Sequence, residues 1–162
     1  MKDSISVERL NKLHPKVRNT FKSFIEECEN TYNTAFRIAQ GLRTIEEQNA
    51  IYNQPWDGKD NDGDGKIDEA DEKVSNAKGG SSYHNYGLAI DIVEIVNNKA
   101  NWNFDYRKLK PIAKKYNIEW GGDFKTIVDK PHYQLVLGYT IAMLKEKYSK
   151  KDFIKGTVYL NL

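Results

Sequence analysis

Apolar side chains recur at helical spacing in several segments of the chain. Between residues 15 and 30 they stand three or four positions apart, which predicts an amphipathic helix. Thr44 and Glu47 have the spacing of a capping box, which predicts that another helix begins there. Pro111 indicates a start or a kink within a third segment. The four predicted helices cover residues 15–30, 44–52, 106–116 and 139–148.

Short runs rich in β-branched and other apolar residues lie between these helices and predict strands. They cover residues 35–39, 88–93, 119–120 and 132–135. The run at 88–93 is apolar except for Asp91, which is typical of a strand inside a sheet. The pattern predicts an α+β fold in which a small antiparallel sheet is flanked by helices. It contains no internal repeat, so we expect a single domain over residues 1–162, with residues 57–72 as an insert.

Composition first excludes several classes of protein. The 162 residues carry 25 Lys and Arg against 23 Asp and Glu, and this net charge of +2 gives no indication of nucleic-acid binding. No apolar run reaches the roughly 18 residues of a membrane span, so we expect no membrane insertion. Cys28 is the single cysteine, which excludes an intramolecular disulfide and a cysteine cluster. We expect a monomer.

The charge is unevenly distributed along the chain. Residues 57–72 contain eight acidic residues and two lysines, a net charge of −6, which leaves +8 on the rest of the chain. Within this acidic segment, residues 60–71 follow the order of an EF-hand-type calcium loop, in which Gly65 permits the sharp turn. The predicted calcium ligands are Asp60, Asp62, Asp64, the carbonyl of Lys66, Asp68 and Asp71.

The last position of this loop departs from the usual pattern. Asp71 stands where a bidentate Glu is expected, so weaker calcium binding is predicted unless Glu72 substitutes. Calcium bound there would order the segment and set the geometry of a neighbouring cleft, or it would be a permanent stabilising ion. The alternative is a solvated acidic loop without an ion.

Two of the three histidines stand near carboxylates. His84 precedes Asp91 by seven residues, and His132 follows Asp129 by three. Two histidines and one aspartate are a suitable ligand set for a catalytic zinc ion that keeps one position open. Asp91 favours this interpretation, because an unpaired carboxylate inside an apolar strand is costly unless a cation compensates it. The alternative is that the histidines are hydrogen-bonded structural residues.

The combined pattern is more specific than its parts. Ser-x-His-x-x-Gly-x-Ala-x-Asp at residues 82–91, followed by Asp-x-Pro-His at residues 129–132, resembles the zinc peptidases of the D-alanyl-D-alanine carboxypeptidase (VanY-like) and L-alanyl-D-glutamate endopeptidase family. The latter branch includes phage endolysins. The resemblance extends to residues 13–15, 41–48 and 119–124, and it implies the hedgehog/D-Ala-D-Ala metallopeptidase fold. The acidic segment is not a general feature of the family.

The resemblance also implies a role for each matched residue. The zinc ligands would be His84, Asp91 and His132. Asp129 would be the general base and Arg43 would face the scissile carbonyl, where it would stabilise the developing oxyanion. Three further residues are expected at the substrate or in the cleft wall: Ser82, Tyr83 and Glu119. Trp120 is expected in the cleft wall or in the core. Glu119 is also an alternative base.

The function implied is hydrolysis of the peptidoglycan stem peptide, at the bond between L-alanine and D-glutamate, as in an endolysin. We expect calcium to modulate it. Two alternatives stay open: a D,D-carboxypeptidase on terminal D-Ala-D-Ala, and a non-catalytic, calcium-dependent wall-binding module. The N-terminus has no apolar signal core, so we expect synthesis in the cytoplasm and holin-type or other release to the cell wall.

Overall fold

The computed structural model describes residues 1–125 and 128–162. The helices of these residues are Ser4–Asn11 (α1), Pro15–Tyr32 (α2), Ile45–Asn53 (α3), Lys110–Lys115 (α4) and Ile141–Ser149 (α5). The strands are Ala35–Gln40 (β1), Ala89–Val96 (β2), Lys99–Asn101 (β3), Glu119–Trp120 (β4) and His132–Gln134 (β5). Short 3-10 turns, among them Tyr83–Tyr86, connect some of these elements.

The strands form one antiparallel sheet, in the order β1-β2-β5-β4, and β3 pairs with the far end of β2. This arrangement confirms the predicted α+β class. The hydrophobic core lies between the sheet and α2, where the ring centroids of Phe24 and Tyr133 are 5.0 Å apart. Ile90 and Ile92 are fully buried in this core. Because side chains alternate along a strand, Asp91 between them points to the opposite face of the sheet.

Several element bounds differ from those predicted. The segment predicted as one helix over 106–116 is a 3-10 turn, Tyr106–Leu109, followed by α4, because Pro111 occupies the first turn of the α-helix. α1 and β3 were not predicted, since both are short and carry few buried side chains. The start of α1 depends on Asp3, whose carboxylate accepts a hydrogen bond from the backbone N–H of Ser6 at 2.8 Å.

The acidic segment contains a single 3-10 turn, Ala70–Glu72, and otherwise irregular backbone. Among the described residues, the helices are too short or too polar to cross a membrane.

Candidate active site

Three donor atoms from distant parts of the chain meet on the face of the sheet opposite the core. His84 Nε2 lies 3.2 Å from Asp91 Oδ1 and 3.1 Å from His132 Nδ1, and His132 Nδ1 lies 3.1 Å from Asp91 Oδ1. Asp91 and His132 are directly opposite each other in the pairing of β2 with β5. His84 reaches them from the 3-10 turn Tyr83–Tyr86, which Gly87 ends in the left-handed conformation.

The outer nitrogen of each imidazole has its own hydrogen-bond partner. His84 Nδ1 lies 2.8 Å from the carbonyl oxygen of Gly41, which can only accept. His132 Nε2 lies 3.0 Å from Gln134 Oε1, and Gln134 Nε2 donates to Glu119 Oε2 at 2.8 Å. These contacts place the protons on the outer nitrogens. When the rings are neutral, as metal binding requires, their inner nitrogens present lone pairs to each other and to the Asp91 carboxylate.

This donor set fits a zinc ion. Three lone pairs that converge without a proton between them repel one another, and a divalent cation removes that repulsion. A tetrahedral zinc ion with bonds of about 2.0–2.1 Å holds its donor atoms about 3.3–3.4 Å apart. The observed separations of 3.1–3.2 Å are close to that value. Two imidazoles and one carboxylate also leave a fourth position open, as in catalytic zinc sites.

The two carboxylates of the site have opposite pKa shifts. Burial alone would raise the pKa of Asp91, but the charges and hydrogen bonds of His84 and His132 lower it well below its usual range. Burial also raises the pKa of Asp129, and the charge of Asp91 raises it further, although the histidines and Arg43 oppose this. Of the two carboxyl groups, Asp129 is therefore the better proton acceptor.

Asp129 is held near the three donor residues by a tight turn against the end of β4. Its backbone N–H donates to the carbonyl of Gly121 at 3.0 Å, and its own carbonyl accepts from the N–H of His132 at 3.3 Å. A Cβ on Gly121 would stand 2.4 Å from the carbonyl oxygen of Asp129. Glycine is thus required at 121 for this close approach.

Arg43 enters the site from the segment between β1 and α3. Its backbone N–H donates to the carbonyl of His84 at 3.1 Å, and its Nη1 donates to Gln48 Oε1 at 3.0 Å. Its Nη2 lies 4.0 Å from Asp91 Oδ2. Burial lowers the pKa of the guanidinium, but an arginine keeps its proton in proteins, so a fixed positive charge stands beside the ligand set.

A cleft of about 760 Å³ opens over these residues. Ser82 and Tyr83 line it, as the sequence predicted; the Ser82 hydroxyl accepts from the N–H of His84, and the Tyr83 hydroxyl donates to the carbonyl of Tyr139. Residues 74–78, which follow the acidic segment, form another part of the cleft wall.

Glu119 lies elsewhere than predicted, and Trp120 belongs to the core, one of its two predicted places. Both line a neighbouring cavity of about 420 Å³, and neither is among the described residues that line the main cleft. The cause is the β4–β5 pairing, which places Gln134 between Glu119 and the zinc ligands. Trp120 is buried, and its indole N–H donates to the carbonyl of Lys130 at 2.7 Å.

The acidic segment gathers a different set of carboxylates from the predicted one. Oxygen atoms of Asp60, Asp62 and Glu72 lie within 4.8 Å of one another, and Glu72 is buried. Three predicted carboxylate ligands are not part of this cluster: Asp64, Asp68 and Asp71. Binding through the carbonyl of Lys66 stays a prediction. Asp64 instead pairs with the side chain of Lys66, and Asp68 accepts from the N–H of Gly58. Glu72, one residue beyond the expected position, lies where the Asp71 side chain was predicted.

Two glutamines contact the site although the sequence analysis assigned them no role. Gln134 orients His132, and Gln48 contacts Arg43. Gln134 stands two residues after His132 in the same strand, so both side chains lie on one face of the sheet. This spacing was the sequence signal that could have indicated a role for Gln134. For Gln48 the signals were its place in the first turn of a capped helix and its position within residues 41–48 of the resemblance.

Comparisons with known proteins agree with this geometry. A model of the D-alanyl-D-alanine carboxypeptidase family matches residues 75–135. The chain is 35% identical over 136 residues to the peptidoglycan L-alanyl-D-glutamate endopeptidase CwlK of Bacillus subtilis (strain 168). The alignment covers 76% of this chain and 74% of CwlK.

Two solved structures show the same fold. The L-Ala D-Glu endopeptidase ChiX of Serratia marcescens aligns with a TM-score of 0.54 at 24% identity, over 82% of this chain and 86% of ChiX. The vancomycin-resistance D,D-pentapeptidase VanY, in complex with Zn(II), aligns with a TM-score of 0.57 at 20% identity, over 85% of this chain and 78% of VanY. Together with the identity to CwlK over most of both chains, the matches show that this protein belongs to the metallopeptidase family of the D-alanyl-D-alanine carboxypeptidases and L-alanyl-D-glutamate endopeptidases.

Proposed function

We propose that this protein is a zinc-dependent endopeptidase that cleaves the L-alanyl-D-glutamate bond of peptidoglycan stem peptides. The observation that carries the proposal is the convergence of His84, Asp91 and His132 in a cleft that also holds Asp129 and Arg43. The similarity to CwlK, an L-alanyl-D-glutamate endopeptidase, supports this choice of bond.

The protein's own residues supply most of the chemistry. His84, Asp91 and His132 would hold the zinc ion, which when bound supplies a Lewis acid that polarises a peptide carbonyl and acidifies water. Asp129 accepts a proton from the attacking water and returns it to the leaving nitrogen, a task to which its raised pKa is suited. Arg43 donates hydrogen bonds to the carbonyl oxygen as negative charge develops on it.

Product analysis tests the choice of bond. The zinc-loaded protein is incubated with isolated peptidoglycan and with synthetic stem peptides, and the products are identified by mass spectrometry. Release of peptides with a new N-terminal D-glutamate is expected. Release of single D-alanine residues would instead identify a D,D-carboxypeptidase, the reaction class of the matched family model. Binding to peptidoglycan without any product would identify a non-catalytic module.

Substitution of the proposed base tests the mechanism. Asp129→Asn is expected to lower kcat by about 10²–10⁴-fold, because proton transfer by a positioned group contributes that much. The matched control is Asp123→Asn, which removes an exposed carboxylate of the same loop that pairs with Lys110. A kcat for Asp129→Asn equal to that of the control, with zinc content unchanged, would transfer the role of base to another group, such as Glu119.

We also propose that the acidic segment binds one calcium ion that modulates the enzyme. The support is the cluster of Asp60, Asp62 and Glu72, three carboxylates that repel one another unless a cation lies between them. The segment is joined directly to the cleft wall at residues 74–78, so an ion that orders it also restricts that wall.

Calcium titration of the zinc-loaded protein tests this second proposal. The expected result is a rise in melting temperature with calcium that is absent in Glu72→Gln, together with a change in kcat/KM. The control is Asp105→Asn, which removes an exposed carboxylate outside the segment. A rise in melting temperature without any change in kcat/KM identifies a purely structural ion, and no rise in the wild type refutes calcium binding.

The biological setting follows from the same proposals. We propose that the protein is made in the cytoplasm and acts as a monomeric, bacteriolytic endolysin on the cell wall after release. Addition of the purified protein to permeabilised bacteria is expected to clear their turbidity, and sedimentation is expected to give the mass of one chain. Cleavage of purified peptidoglycan without any clearing would favour a wall-remodelling enzyme.

A further inference from the structure

A buried glutamine on α3 connects two parts of the proposed active site. Gln48 is fully buried, and its side chain lies between Arg43 and the cleft wall at residues 74–78. We infer that Gln48 is a positioning residue, which fixes the guanidinium of Arg43 and ties its orientation to the conformation of the cleft wall. This inference rests on the proposed peptidase function.

The hydrogen bonds of the Gln48 amide allow only one orientation. Its Oε1 accepts from Nη1 of Arg43 at 3.0 Å, and its Nε2 donates to Oγ of Ser75 at 2.9 Å and to the carbonyl of Ala77 at 2.7 Å. A flipped amide would set its oxygen against the Ala77 carbonyl and its NH2 group against the guanidinium, which only donates. These contacts therefore fix the orientation of the Gln48 amide, and the hydrogen bond from Nη1 to this amide fixes the orientation of the Arg43 guanidinium.

The cleft wall is attached to α3 mainly through side chains of that helix. Besides the two bonds from Gln48, Asn49 Oδ1 accepts from the backbone N–H of Gly79 at 2.8 Å. The wall between these anchors lines the cleft and is connected through residue 73 to the acidic segment. A displacement of Ser75 or Ala77 therefore moves the Gln48 amide, and with it the acceptor of Arg43.

The position of Arg43 makes this acceptor important for catalysis. Nη2 of Arg43 lies 4.0 Å from Asp91 Oδ2, which is too far for a close ion pair. Among the described residues, the bond to Gln48 is the one hydrogen bond that the guanidinium makes, so removal of this acceptor leaves its position unfixed. Arg43 would then no longer be held toward the scissile carbonyl. Gln48 thus keeps the positive charge available for the transition state.

A double-mutant cycle tests the inference. Gln48→Met keeps the approximate volume and removes all three hydrogen bonds; kcat is expected to fall about 10–100-fold, as for a catalytic group that is displaced by about 1 Å. In an Arg43→Ala background, the same substitution is expected to change kcat less than about twofold, because the group through which it acts is already absent. The matched control is Gln54→Met at the end of the same helix.

A second measurement needs no substrate. Nitrogen-15 NMR of the Arg43 guanidinium is expected to show slow rotation of its Nη groups in the wild type and averaged signals in Gln48→Met. Equal drops in kcat with and without Arg43, or unchanged guanidinium signals in Gln48→Met, would overturn the inference. If the wild type cleaves no stem peptide, the proposed function fails, while the NMR comparison still decides whether Gln48 holds Arg43.

Discussion

Replacement of Gln134 by methionine is predicted to weaken zinc binding without displacing any ligand. Gln134 Oε1 lies 3.0 Å from His132 Nε2, and both side chains are buried. In the zinc-bound protein His132 must present the lone pair of Nδ1, so its proton has to reside on Nε2. Methionine offers that buried N–H no comparable acceptor.

The size of the change in zinc affinity depends on whether the lost hydrogen bond destabilises the zinc-free or the zinc-bound protein. In the zinc-free protein the His132 proton can move to Nδ1, which lies 3.1 Å from Asp91 Oδ1, so little is lost there. In the zinc-bound protein the unpaired N–H costs about 1–3 kcal/mol. The difference corresponds to a zinc Kd that is raised about 5- to 150-fold, in the range found when an outer hydrogen-bond partner of a metal ligand is removed.

Competition with a chromophoric zinc chelator at neutral pH measures this change. Gln54→Met is again the control, since its side chain lies outside the ligand network. Glu119→Gln should have a smaller effect. It removes the negative charge of Glu119 but keeps a side-chain oxygen that can accept the hydrogen bond from Gln134 Nε2. A zinc Kd for Gln134→Met within twofold of the wild type would refute the assignment of the His132 proton to Nε2.

Two further predictions concern positions that shape the site and the fold. Gly121→Ala would place a methyl group 2.4 Å from the carbonyl oxygen of Asp129, so the turn must shift; we expect a loss of about 1–3 kcal/mol in urea unfolding and a lower kcat. Asp3→Ala removes the α1 cap and the pairing with Arg37, and should destabilise by about 1–2 kcal/mol at pH 7. Burial raises the pKa of Asp3, but hydrogen bonds from Arg37 and Ser6 lower it below its ordinary value. Its contribution is therefore complete above pH of about 4 and is lost as the pH falls through the lower folded value.

Each of these predictions can fail in a definite way. A wild-type kcat in Gly121→Ala would show that the turn absorbs the methyl group without moving Asp129. A difference between Asp3→Ala and the wild type that persists unchanged in acid would show that the carboxylate's charge is not what stabilises the start of α1.

The sequence predicted the convergence of the ligand set because metal chemistry restricts residue types. Asp91 stood out as a carboxylate in an apolar strand, and His84 and His132 were the histidines that stand near acids. The structure brings the three within 3.2 Å of one another. The roles of Gln48 and Gln134 were not predictable, because they depend on which backbone and side-chain atoms the fold places opposite an amide.

The sequence-based predictions that differ from the structure concern residues whose positions depend on tertiary contacts and not on the local sequence pattern. Glu119 was expected in the cleft, but strand pairing places Gln134 between it and the three donor residues. Trp120 pairs with Tyr133 and belongs to the core. In the acidic segment the spacing indicated Asp71, and Glu72, which was named as its substitute, is the residue that the 3-10 turn directs inward. The break at Pro111 was anticipated, but the 3-10 geometry before it was not.

The distances along the chain between the three donors have a consequence for unfolding. His84 and His132 are 48 residues apart, and Asp91 and His132 are 41 apart. An ion held by all three closes these loops in the folded chain, and because the unfolded chain has no such site, its binding free energy adds to the free energy of unfolding. It also joins β2 to β5 at one residue pair, so a slip in strand register would break the cross-link. In a chain with a single cysteine, the ion would thus be a reversible cross-link between two strands, and a chelator instead of a reductant would remove it.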